Sequence, residues 1–133
     1  MPEKSPPVGR QKSSILIIED EQLLYNLLKQ KLQSAGLNVE GAIDGETALE
    51  KIAEHAPDLI LLDLLLPGID GFEVLKRLKG NERFKHIPVI VISNLGEAKD
   101  INSIIKLGAS EYIIKAESSP QEITEAVLKY CGR

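Results

Sequence analysis

Five short, nearly continuous apolar runs punctuate this sequence, and a stretch of helical periodicity follows each one. They occupy residues 14–19 (SILIIE), 38–43 (NVEGAI), 58–63 (DLILLD), 88–93 (PVIVIS) and 109–115 (ASEYIIK). Short apolar runs without polar alternation read as strands covered on both faces. Parallel strands need long crossovers of right-handed sense, and each helical stretch here is long enough to make one. The pattern therefore predicts an α/β fold: a doubly wound (βα)5 three-layer sandwich around a central parallel sheet. The expected strand order is 2-1-3-4-5, with the weaker second run nearer an edge.

The intervening helices carry their own signals. Leu23, Leu24, Leu27, Leu28 and Leu32 recur at helical spacing, and Gly36 ends that helix. Asp44 is placed to cap a second helix with Ala48, Leu49, Ile52, Ala53 and Ala56 inward, stopped by Pro57. A loop over residues 64–69 contains Pro67-Gly68 and leads to Asp70 and Glu73 at capping-box spacing. Val74, Leu75 and Leu78 follow on one side of the third helix. Ala98, Ile101, Ile104, Ile105 and Gly108 mark the fourth. Ser119-Pro120-Gln121-Glu122 combines an N-cap, a first-turn proline and a glutamate at the third position. Ile123, Ala126, Val127 and Tyr130 continue that last helix. Residues 1–13 are polar, with Pro2, Pro6, Pro7 and Gly9, and read as a flexible N-terminal leader. Residues 14–133 then form one domain.

Charge and composition narrow the function. Twenty Asp and Glu against 16 Lys and Arg give a net charge of −4, which disfavours direct nucleic-acid binding. There is no tryptophan to build a stacking platform, and the single Cys131 excludes a disulfide scaffold and a cysteine-only metal site. No apolar run is long enough for a membrane span, and the leader lacks a signal-peptide core. A cytoplasmic location is the expectation.

The polar residues that remain fall at one end of the sheet. Glu19 and Asp20 close the first run, Asp63 the third, Ser93 the fourth and Lys115 the fifth. In an open α/β sheet the binding crevice lies outside the carboxyl ends of the strands, where the strand order reverses. Glu19, Asp20 and Asp63 should converge there, with Glu21 alongside. Converging carboxylates repel unless a cation sits among them, and oxygen donors suit Mg2+ or Mn2+. A lysine and a hydroxyl nearby suit a transferring phosphoryl group, with aspartate as a nucleophile. Taken singly, each residue has a plainer reading as a cap, turn or surface residue. Asp44 and Asp70 read as caps, and Asp58 starts its strand at the opposite end. His55 and His86 lie near helix ends or loops and read as solvent-facing.

Together the segments ILIIEDE (15–21), LILLDLLLPGIDG (59–71), PVIVIS (88–93) and GASEYIIK (108–115) resemble the receiver domain of two-component response regulators. The resemblance runs from about Ser14 to Tyr130 and implies a flavodoxin-like, CheY-like architecture. It implies that Asp63 accepts a phosphoryl group, with Glu19, Asp20 and Asp63 holding Mg2+ (Mn2+ is also suitable) beside the main-chain carbonyl of Leu65. Ser93 and Lys115 would contact the phosphoryl group, and Ser93 and Tyr112 would form the conformational switch. The implied partners are a sensor histidine kinase or a histidine phosphotransfer protein. Output would go to a downstream protein target or to an output domain absent from this sequence. A homodimer through the face of helix 4, strand 5 and helix 5 is a further implied contact. The chain would be a signalling switch that assists its own phosphorylation and dephosphorylation, without turnover of a separate substrate.

Four positions depart from the family pattern. Glu19 stands where Asp is common, Ala116 where a proline usually follows the lysine, and Asn94 where a small residue is common. Leu65 puts an apolar side chain two residues beyond Asp63. A trans peptide bond is expected between Lys115 and Ala116. Asn94 and Leu65 flank phosphoryl access, which predicts slow loss of the phosphoryl group. Ala116 and Asn94 also motivate the alternative of a non-phosphorylated pseudo-receiver that binds proteins. An aspartyl phosphatase or a flavin protein fits less well, because residues 19–21 and 63–65 lack the second acid or the hydroxyl-rich phosphate loop.

Overall fold

Apolar runs too short for helices, flanked by helix-capping residues, become the five strands. The computed structural model describes residues 13–131; residues 1–12 of the expected leader, and 132 and 133, lie outside the described residues. The order is β1 (Ser14–Ile18), α1 (Gln22–Ser34), β2 (Asn38–Ala42), α2 (Gly45–Glu54), β3 (Leu59–Asp63) and α3 (Gly71–Lys79). It continues with β4 (Val89–Ser93), α4 (Ala98–Leu107), β5 (Glu111–Ile114), a 3₁₀ turn (Lys115–Glu117) and α5 (Pro120–Cys131). The sheet runs β2-β1-β3-β4-β5, and every pair is parallel. This is the predicted doubly wound, CheY-like flavodoxin fold.

Successive strand residues face opposite sides of the sheet. Ile15, Ile17, Leu59, Leu61, Ile90 and Ile92 pack with Leu28 and Leu32 of α1 and with Ile123, Ala126 and Val127 of α5. Leu16, Ile18, Ile60, Leu62, Val89 and Val91 pack on the other side with Ala48, Ile52, Val74, Leu75, Leu78 and Ile104 of α2, α3 and α4. The register pairs Ile18 with Leu62 and Asp63 with Ile92, so the polar strand ends sit level with one another.

Several local expectations are corrected. The strands are shorter than the apolar runs, leaving Glu19 and Lys115 just beyond β1 and β5. Leu23 and Leu27 are 71% and 38% exposed rather than inward, because α1 turns Leu28 and Leu32, with the half-buried Leu24 and Tyr25, onto the sheet. Ala53 and Ala56 are exposed, as are Ile105 and Tyr130. The loop residues Leu64 and Leu66, with Phe84 and Ile87 before β4, join the core instead. The capping predictions hold. Asp44 accepts from the Thr47 N–H at 2.7 Å and Asp70 from the Glu73 N–H at 3.0 Å. At α5, Ser119 Oγ accepts from the Glu122 N–H at 3.1 Å, and Glu122 Oε1 accepts from the Ser119 N–H at 2.8 Å.

Candidate functional site

Asp63 ends β3, the central strand, and the residue is 3% exposed. Its backbone is fixed by close packing. The Gly71 N–H donates to the Leu64 carbonyl at 2.8 Å. A Cβ on Gly71 would lie 2.5 Å from the Asp63 carbonyl oxygen and 2.5 Å from Leu64 Cα. Only glycine lets the start of α3 approach this closely. Gly68, at φ +76, turns the intervening loop.

Around Asp63 the strand ends bring the predicted groups together. Lys115 Nζ donates to Asp63 Oδ2 at 2.9 Å, and the Leu65 N–H donates to Asp63 Oδ1 at 3.1 Å. Lys115 Nζ also donates to Glu19 Oε2 at 3.2 Å and to Glu21 Oε1 at 3.4 Å. Glu19 is 1% exposed, and its Oε2 accepts from the Glu21 N–H at 3.0 Å. Asp20 is exposed. Glu21 does not join the acidic group as expected; its carboxylate turns to Lys115 at the rim.

The electrostatics follow from this crowding. Burial, then repulsion by Asp63, pushes Glu19 up to about 7, against the opposing pull of the Glu21 N–H and Lys115. Burial alone would lower Lys115, but the hydrogen bond and charge of Asp63, with those of Glu19, hold it above the usual lysine range. Lys115 thus stays cationic, and among the described residues it is the one ammonium set among three carboxylates, those of Glu19, Glu21 and Asp63.

That imbalance fits a cation. One carboxylate oxygen each from Glu19, Asp20 and Asp63 lies within 4.8 Å of the others. Glu19 Oε1 is 3.1 Å from Lys115 Nζ, yet it is buried with no directed hydrogen bond. An orphaned, buried carboxylate oxygen in an all-oxygen set suits a hard divalent ion.

On the neighbouring strands, Ser93 is fully buried at the end of β4, and its Oγ accepts from the Leu95 N–H at 3.2 Å. The Tyr112 hydroxyl on β5 donates to the Leu95 carbonyl. One residue, Leu95, thus links both predicted switch residues, through its N–H to Ser93 and its carbonyl to Tyr112.

The family model for the response regulator receiver domain matches residues 15–128. The chain belongs to this family. The polar-differentiation response regulator DivK of Brucella ovis is 37% identical over 119 residues, covering 90% of this chain and 96% of DivK. Response regulator PleD of Caulobacter vibrioides is 40% identical over 101 residues; that match covers 76% of this chain but only 22% of PleD. Among solved structures, the phosphorylated cyanobacterial phytochrome response regulator RcpA is 30% identical with a TM-score of 0.81. The match covers 90% of this chain and 94% of RcpA. The Mn2+-bound response regulator Rcp1 is 26% identical with a TM-score of 0.80, covering 89% and 93%.

In this receiver domain the residues set aside as ordinary behave so. Asp44 and Asp70 cap helices, Asp58 accepts from the Ser14 N–H at 2.7 Å at the opposite end of the sheet, and His55 and His86 are exposed. Every peptide bond is trans among the described residues, including Lys115–Ala116. One contact escaped the sequence reading. The Ala116 N–H donates to Asn94 Oδ1 at 2.8 Å, across 22 residues. The signal for it was present as two departures from the family pattern, but nothing in their spacing says that they meet.

Proposed function

We propose that Asp63 accepts a phosphoryl group from the phosphohistidine of a sensor histidine kinase or histidine phosphotransfer protein. The donor's N–P bond breaks, with its electron pair returning to the imidazole, as an Asp63 carboxylate oxygen bonds to phosphorus. The observation that carries this reading is the buried Asp63 carboxylate, bonded to Lys115 and beside the orphaned Glu19 oxygen. Lys115 and the Ser93 hydroxyl stabilise the equatorial phosphoryl oxygens. Glu19, Asp20, Asp63 and the Leu65 carbonyl hold Mg2+ or Mn2+, which supplies positive charge against those oxygens when bound. The phosphorylated state of RcpA and the Mn2+ of Rcp1 support the same chemistry here.

Phosphorylation adds charge and acceptor oxygens beside Ser93. Those oxygens accept from the Ser93 O–H and draw it toward Asp63, moving its Oγ away from the Leu95 N–H it now accepts from, and Tyr112 follows through the Leu95 carbonyl. The surface of α4, β5 and α5 is thereby altered for a downstream target, an output domain or a second copy. The protein acts as a cytoplasmic switch. No helix among the described residues is long and apolar enough to cross a membrane.

Acetyl phosphate with Mg2+ tests the acceptor: the wild type gains one phosphoryl mass and Asp63→Asn gains none. Retained specific phosphorylation in Asp63→Asn would refute the assignment. The pseudo-receiver alternative rested on Ala116 and Asn94, but Lys115 reaches Asp63 without a following proline. Failure to bind beryllofluoride with Mg2+ would revive it.

A further inference from the structure

Asn94 and Ala116 take no part in the proposed phosphoryl chemistry, yet they meet beside it. Asn94 follows Ser93 at the end of β4, and Ala116 follows Lys115 within the 3₁₀ turn. The first amides of such a turn have no partner inside it. A proline at this position would present no N–H and would fix its own φ. Alanine leaves both a free donor and a softer backbone. Asn94 Oδ1 takes that donor at 2.8 Å. The asparagine side chain has only two torsions, so the link is short and stiff.

What the link restrains is visible in the ion pairs of Lys115. Its ammonium lies 2.9 Å from Asp63, 3.1 Å from Glu19 and 3.4 Å from Glu21. Glu21 is exposed at the rim, whereas Asp63 is buried. A turn free to shift would let the ammonium divide its time toward the more accessible carboxylate.

We infer that Asn94 is a positioning residue: its carboxamide ties the Lys115 turn to the end of β4, holding the Lys115 ammonium and the Ser93 hydroxyl in fixed relation around Asp63. The inference rests on the reading of Asp63 as phosphoryl acceptor. It also couples the two ends. Displacement of Ser93 must carry the Lys115 turn with it or break the Asn94 bond.

Two measurements on the full chain test this: amide hydrogen exchange at Ala116, which needs no phosphodonor, and the rate of phosphorylation by acetyl phosphate at saturating Mg2+. In Asn94→Ala, Ala116 exchange accelerates and phosphorylation slows about 3- to 10-fold, the range one hydrogen bond supports. Asn94→Asp keeps an acceptor oxygen on the same stem and restores the exchange protection at Ala116, while its added charge beside Lys115 keeps it out of the rate comparison. A urea midpoint for each variant checks that the exposed substitution leaves the fold intact. Unchanged exchange in Asn94→Ala, or faster exchange with an unchanged rate, overturns the inference while Asp63 remains the acceptor. A wild type that takes up no phosphoryl group overturns the Asp63 reading and this inference with it.

Discussion

At the scale of single residues, the site is a contest between burial and charge. Glu19 and Asp63 are both buried carboxylates, and a single ammonium serves both. The strand-end positions of Glu19, Asp63 and Lys115 were legible in the sequence, because each interrupts an apolar run. The role of Glu21 was not, since a rim carboxylate chooses its partner by tertiary distance. Leu65 illustrates the complementary case. Its N–H holds Asp63 Oδ1, while its side chain is 57% exposed and has no polar atom to orient water. Replacing it with asparagine leaves the backbone bond and adds a donor and an acceptor. Leu65→Asn is therefore expected to shorten the lifetime of the aspartyl phosphate several-fold, measured as its decay after the phosphodonor is removed. A lifetime equal to that of the wild type would show that the Leu65 side chain has no part in phosphoryl loss.

At the scale of elements, local signals did well where a cap or a strand was concerned and less well for helix faces. Asp44, Asp70 and Ser119 cap the helices that their spacing predicts, because capping is decided within four residues. Leu23 and Leu27 fall outside the inward face of α1, because five leucines cover more of the helix than the sheet can bury. The junction of β3 and α3 depends on a property no propensity reveals. Gly71 lies against the Asp63 and Leu64 backbone, where a Cβ has no flexible neighbour to displace. Gly71→Ala is expected to lower stability by about 1–3 kcal/mol through overpacking. Because the displaced backbone is that of Asp63, it should also weaken Mg2+ binding; urea unfolding and a metal titration read the two effects. A variant as stable as the wild type, with unchanged Mg2+ affinity, would mean that the contact relaxes without strain.

At the scale of the whole molecule, the acidic site couples stability to pH and to cations. Glu19 holds its proton up to about pH 7 in the folded chain, against an ordinary value of 4.5. The folded state therefore binds more protons than the unfolded state between those values, and stability falls as pH rises through that window. The full loss is on the order of 3 kcal/mol, and Lys115, cationic throughout the window, contributes no slope. On the proposed reading of the site, Mg2+ is expected to restore that stability above pH 7, where the carboxylates are ionised, with little effect near pH 5. Urea midpoints from pH 4.5 to 8, with and without Mg2+ and compared with Glu19→Gln, measure this. Identical pH dependence in wild type and Glu19→Gln would refute it. By itself the sequence determined the fold class, the strand order, the caps and the polar strand ends, because periodicity and capping are local and parallel crossovers admit few topologies. Only the tertiary structure decided which carboxylates share Lys115, how closely α3 approaches Asp63, and that Asn94 meets Ala116. Those contacts join residues far apart in the chain, and their distances depend on how strands and turns pack.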